Sequence, residues 1–202
     1  MLKEVSFLKI QIMKKEEYPD AMKLIWSVFM QYEAPDYSAE GVQAFRKSVI
    51  ENQEFQGSLT LYGAYEEHML IGVLATRNNG AHIALLFVDS DYQRRGIGRA
   101  LFARAFQNSP TGKMTVHSSP FAVEFYRRLG FSAVSEEQIT DGIRYTPMQF
   151  RCPCTRHRCS RRGNCTACRK HHRASKIPLP FCENAKNRSS SSQNERNDHE
   201  QI

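Results

Sequence analysis

The chain has 202 residues, with 28 Lys and Arg against 21 Asp and Glu, and no apolar run near the roughly 18 residues that cross a membrane. A membrane partner is therefore not expected, and because Lys3 and Glu4 stand where a leader would be apolar, a secretory signal is not expected either and a cytoplasmic location is. The formal charge of +7 is uneven: residues 1–150 hold 16 basic and 17 acidic side chains, residues 151–202 hold 12 and 4, and all six cysteines follow residue 151.

That double shift in charge and cysteine predicts a boundary near residues 150 and 151. Before it, Leu8 to Met13 reads as a strand, and Pro19 to about Gln31 as a helix with Ala21, Ile25, Val28 and Phe29 in one stripe. Ser38 suits the N-cap of a second helix whose inner side carries Val42, Phe45 and Val49. Leu59 to Glu66 and Met69 to Arg77 read as a hairpin turning at Glu67 and His68. Residues 82 to 89 are almost continuously apolar, as a central strand covered on both faces must be. Ile143 to Phe150 reads as a closing strand, with Pro147 placing it at an edge or a bulge.

The strand at 82–89 runs into Gln93-Arg94-Arg95-Gly96-Ile97-Gly98, which must open the next helix. Free N–H groups and the positive end of the helix dipole make such a turn a cradle for phosphate, and glycines let the backbone approach it. It is not a dinucleotide fingerprint, because Leu101 stands where the third glycine belongs, and no Walker loop occurs. About twenty residues on, Ser118 or Ser119 can cap a helix with Pro120 in its first turn and Gly130 at its end; Ala122, Phe125, Tyr126 and Leu129 share its apolar face.

The string Q-x-x-G-x-G at 93–98 resembles the acetyl-CoA loop of the GNAT family of N-acetyltransferases, and Phe125-Tyr126-Arg127-Arg128-Leu129-Gly130-Phe131 resembles that family's second signature. The order strand, helix, helix, three strands, helix, strand, helix, strands also matches, over most of residues 1–150. The resemblance implies an α/β fold with a mixed central sheet flanked by helices, and transfer of acetyl from acetyl-CoA to a primary amine in a ternary complex. It implies main-chain contacts to the cofactor from Leu86, Phe87 and Val88, the last polarising the thioester carbonyl. It implies further contacts from Gln93, Arg94, Arg95, Gly96, Ile97, Gly98 and Arg99. The three arginines can equally be an ordinary solvated face. His117 stands where the family often has Asn, so that cofactor contact falls to His117, with Ser119 beside it.

The resemblance gives Tyr126 the role of acid for the departing thiolate; from periodicity alone it is a core tyrosine. No spacing singles out the base. Glu33 and Asp36, in the interhelix segment 31–37, come first because that loop borders the acceptor site in the family, and Glu66, Glu67, His82 and Asp89 remain open. His117 as a base is a further alternative.

Behind the boundary, Cys152, Cys154, Cys159, Cys165, Cys168 and Cys182, with His171 and His172, lie within about thirty residues. In a chain without a leader such thiols stay reduced, so zinc outranks disulfides, with one or two metals, an iron–sulfur cluster or free thiols as alternatives. The expected organisation is a GNAT domain at 1–150, a small cysteine-rich zinc module at 151–183, and a disordered polar tail at 184–202. The module's basic charge fits nucleic acid, but Phe181 is its only aromatic, so stacking platforms are missing. A homodimer is compatible with all of this. The competing reading is a non-catalytic sensor of acyl-CoA whose basic module binds nucleic acid or a protein partner.

Overall fold

The computed structural model describes residues 8–109 and 112–151. Its elements are β1 (Lys9–Ile12), α1 (Tyr18–Tyr32), α2 (Ala39–Phe45), α3 (Gln53–Gly57), β2 (Thr60–Glu66), β3 (Met69–Arg77), β4 (His82–Val88), α4 (Ile97–Gln107), β5 (Lys113–Ser118), α5 (Val123–Leu129), β6 (Ser132–Ala133), β7 (Gln138–Thr140) and β8 (Ile143–Arg151). One mixed sheet runs β1-β2-β3-β4-β5-β8-β6, with β7 paired to β8. All contacts are antiparallel except the parallel pair β4 and β5. Among the described residues, no helix is long and apolar enough to cross a membrane.

Alternation along the strands divides the core. Leu61, Val73, Ala75, Leu85 and Phe87 face α1 and α2, while Tyr62, Ala64, Leu74 and Ile83 face α4 and α5. The central strands are thus apolar on both faces because helices cover both. On the first side Phe29 is fully buried and stacks on Phe45 at 3.9 Å between ring centroids; such a buried ring contributes about 1.5–3 kcal/mol by area alone.

Most expected elements are present. Ser38 caps α2 by accepting from Gly41 N–H at 3.2 Å, and the turn between β2 and β3 holds Glu67 and His68 at φ 49° and 69°. Past Phe45 the second helix loosens into a π-turn at Arg46–Ile50, and Asn52 then caps the short α3, which the periodicity did not reveal. Two expectations change. Neither Ser118 nor Ser119 caps a helix through its side chain: Pro120–Ala122 forms a 3₁₀ turn and α5 begins at Val123. Pro147 lies inside the sheet, opposite His117 of β5, and not at an edge. The Pro147 carbonyl accepts from Val134 N–H on the β6 side, so the missing N–H also faces that side, just where β6 has ended and the ladder needs no donor.

Candidate active site

The site grows from a break in the sheet. β4 and β5 pair only at His82 with Thr115 and Ile83 with Val116, then diverge. On its other edge β4 stays bonded to β3, with a bulge where Ala75 opposes Leu85 and Thr76 opposes Ile83, which leaves Ala84 as the extra residue. Asp89 N–H donates to Ile71 O at 3.0 Å, so Asp89 and Ile71 form a hydrogen-bonded pair. Antiparallel alternation then gives Phe87 and Leu85 to β3 and turns the main-chain groups of Leu86 and Val88 toward the gap. Phe87, expected to offer main-chain contacts to a ligand, spends its backbone on β3.

Below the gap lies a cavity of about 890 Å³ that reaches the loop at Gln93 to Arg99. The Gln93 side chain donates to Val88 O at 3.1 Å and ties the loop to the end of β4. Arg94 and Gly96 are left-handed at φ 61° and 84°, and Gly96 is the N-cap of α4. The first turn of α4 contains Arg99 and no acid, the reverse of what the helix dipole favours and an arrangement that suits a bound anion. Gly98 lines the cavity and has a packing reason as well: a Cβ there would stand 3.1 Å from the Phe125 ring, so this glycine also lets α4 and α5 meet. Arg95 does not line the cavity. Its guanidinium sits 4.8 Å over the Tyr92 ring and 3.9 Å from Glu66.

A second cavity of about 420 Å³ opens on the α2 and β8 side. Thr140 and Asp141 line one wall of it, and their turn packs closely on α2 because Gly41 has no Cβ to collide with the Gly142 carbonyl. Tyr37 O–H donates to Arg144 O at 3.2 Å and fastens the same wall to the interhelix loop. The two cavities share Glu33, Leu86, Phe87, Ala122 and Tyr126.

Glu33 reaches that junction because α1 stops there. Its N–H bonds Phe29 O at 2.9 Å, and Pro35 in the following turn cannot continue the helix. Burial pushes the Glu33 carboxyl up to about 7; the Ser119 hydroxyl offsets part of this and Asp36 adds to it. Ser119 Oγ does not meet hydrogen-bond geometry with the carboxylate and has no other partner among the described residues. Asp36 is exposed and lines neither cavity. Tyr126 is 4% exposed, and no hydrogen bond ties its hydroxyl among the described residues. Burial first, and the Glu33 charge second, hold the phenol well above its ordinary pKa.

The comparisons with known proteins bear on this geometry. A family model described as acetyltransferase (GNAT) domain matches residues 33–152. The chain belongs to the GNAT family. Solved GNAT structures share its fold. A GCN5-related N-acetyltransferase from Rhodopseudomonas palustris is 18% identical, with a TM-score of 0.61 over 71% of this chain and 95% of that one. The PaiA N-acetyltransferase of Thermoplasma acidophilum, solved in complex with coenzyme A, is 16% identical, with a TM-score of 0.60 over 72% and 99%. Apo YjaB of Escherichia coli is 22% identical, with a TM-score of 0.55 over 71% and 95%. No curated protein matches this chain.

In this GNAT chain, His117 and Ser119, expected beside the cofactor, do not line the larger cavity. Both line the smaller cavity, His117 stacked on Tyr145 at 4.5 Å and edge-on to His82 at 5.2 Å. Burial, then the Arg77 charge, lowers the His117 pKa; the same two causes and His117 itself bring His82 down to about 4. His82 is therefore held neutral and is a weak base. The residues that sequence reasoning passed over are Arg77, Tyr37, Asp141 and Tyr145. Asp141-Gly142 is a strong hairpin signal that would have found the β7 and β8 turn. Among the described residues no cluster of three metal-ligating side chains occurs. Cys152, Cys154, Cys159, Cys165, Cys168, His171, His172 and Cys182 lie outside the described residues.

Proposed function

We propose that this protein transfers the acetyl group of acetyl-CoA to a primary amine by direct attack in a ternary complex. The observation that carries the reading is the meeting of the two cavities at Glu33 and Tyr126. The larger cavity fits CoA chemically. Its left-handed loop and acid-free helix start suit a pyrophosphate, and the free strand edge at Leu86 and Val88 suits the amides of the pantetheine arm. Acetyl-CoA supplies the activated acyl group as a thioester.

The chain's own residues then divide the work. Glu33, with its pKa at about 7, is ionised at slightly alkaline pH and takes a proton from the acceptor ammonium. The freed nitrogen forms a bond to the carbonyl carbon. Val88 N–H, facing the gap, donates to the carbonyl oxygen as negative charge grows there. The carbon–sulfur bond breaks as Tyr126 O–H gives its proton to the departing sulfur, and the phenolate so formed takes the second proton of the attacking nitrogen, which leaves a neutral amide, a free thiol and the phenol restored. A phenol raised far above its usual pKa is a reluctant acid, but one cause of that rise, the Glu33 charge, vanishes once Glu33 has taken the amine proton.

Incubation of the purified chain with acetyl-CoA and a panel of primary amines, read by product mass, tests this reading. Acetylated product is expected. Binding of acetyl-CoA with no product from any amine would overturn it in favour of a sensor.

A further inference from the structure

The smaller cavity is lined, beside His82 on the strand end away from Tyr126, by a cation that pairs with no carboxylate among the described residues. Arg77 is the last residue of β3 and faces His82 across the β3 and β4 pair. Its Nη2 lies 3.3 Å from His82 Nε2, and His82 Nδ1 lies 2.8 Å from Thr115 Oγ1, which itself donates to Ala81 O at 3.4 Å. Thr115 has one proton and gives it to Ala81, so it accepts from His82 Nδ1–H. His82 Nε2 is then the lone-pair nitrogen and accepts from Arg77. This relay fixes the guanidinium in the cavity wall.

The relay satisfies one edge of the guanidinium only. Arg77 Nε–H is buried with no acceptor, and no carboxylate pairs with Arg77 among the described residues. Asp141 lines the same cavity without pairing with it, and Glu33 stands at the junction with the larger cavity. Between the two ends the walls are apolar and aromatic, from Phe45, Val49 and Tyr145. His82 and Leu86 are four residues apart on β4, about 13 Å of strand.

We propose that the acceptor carries a carboxylate at the end opposite its amine, and that Arg77 receives it while the amine meets Glu33 and Tyr126. The inference rests on acetyl transfer at that junction and adds the class of acceptor: an amino acid whose two charged groups are separated by an apolar body. A planar guanidinium that lines the cavity and is held by His82 matches a planar carboxylate better than a point charge would.

Two matched pairs test it: 6-aminohexanoate against hexylamine, and 4-(aminomethyl)benzoate against benzylamine. In the native chain kcat/KM for the acid is expected to exceed that for the plain amine by about tenfold or more, chiefly through KM. In Arg77→Gln that ratio is expected to fall to about one, and in Arg77→Lys to lie between. A ratio of one in the native chain, or a ratio that survives in Arg77→Gln, overturns the proposal. An unaltered thermal shift by CoA shows that each variant is folded. Calorimetric titration of 4-(aminomethyl)benzoate, with and without CoA, separates the two readings. Binding to the native chain and not to Arg77→Gln, with no acetylation of any amine, upholds the anion anchor and removes acetyl transfer. Acetylation without preference and without such binding does the reverse.

Discussion

The carboxylate of Glu33, at the end of α1, and the phenol of Tyr126, on α5, line the same two cavities, and the charge of the first helps keep the second protonated. The pair is set by burial: the junction is dry enough to lift both groups, which makes an ionised Glu33 a stronger base than an ordinary carboxylate and keeps the Tyr126 phenol protonated.

Tyr126→Phe removes only the hydroxyl from a buried ring. Turnover at saturating substrate is expected to fall by about 10²-fold while acetyl-CoA affinity, measured by calorimetry, changes little. An unchanged turnover removes Tyr126 from the mechanism.

The native pH profile of kcat/KM is expected to rise through about 7 as Glu33 ionises. In Glu33→Gln that limb disappears and the rate falls by about 10²-fold or more. Stability moves the other way. A carboxyl raised from 4.5 to about 7 in the fold binds its proton more tightly folded than unfolded, so its contribution falls as pH rises across that window. Glu33→Gln should therefore melt above the native chain at pH 8 and level with it near pH 4. A lower melting point at pH 8 would contradict the burial of a charged Glu33.

The loop divides its arginines. Gly96→Val forces a β-branched residue into φ 84°, a backbone cost of about 1–2 kcal/mol or more, and is expected to weaken acetyl-CoA binding about tenfold. Arg95, turned onto Tyr92 and Glu66, should matter far less: Arg95→Ala is expected to change that affinity by no more than about threefold. Equal losses in the two variants would show that charge and not loop shape governs binding.

The cysteine spacing beyond residue 151 makes a prediction on sequence grounds alone. The purified full chain should carry about one equivalent of zinc or more, measured by elemental analysis, and lose reactive thiols when loaded. Less than about half an equivalent, with six titratable thiols, removes a tight structural site.

Local pattern made the scaffold legible. The stripe of Ala21, Ile25, Val28 and Phe29, the Ser38 cap, the doubly covered strand at 82–88 and the left-handed Gly130 each follow from periodicity or backbone preference, and the structure has all of them. What pattern cannot carry is the path of neighbouring strands. His117 and Ser119 follow the gap in sequence, yet they line the smaller cavity, because β5 has turned away from β4 before reaching them. Arg77 ends an apolar strand and looks like an ordinary surface residue until β4 and β5 bring His82 and Thr115 beside it. Pro147 misled for a related reason: which side of a strand lacks a neighbour is decided by where β6 stops.

The two-pair contact between β4 and β5 also makes the sheet a hinged object. One leaf is β1 to β4, the other is β5, β8 and β6, and the hydrogen bonds joining them are confined to a short seam at His82 and Ile83. Whatever fills the wedge beyond that seam acts as mortar, replacing ladder bonds the chain does not make for itself. The empty protein should then breathe along this line, with amides of Leu86 and Val88 exchanging early, and loading should stiffen both leaves together.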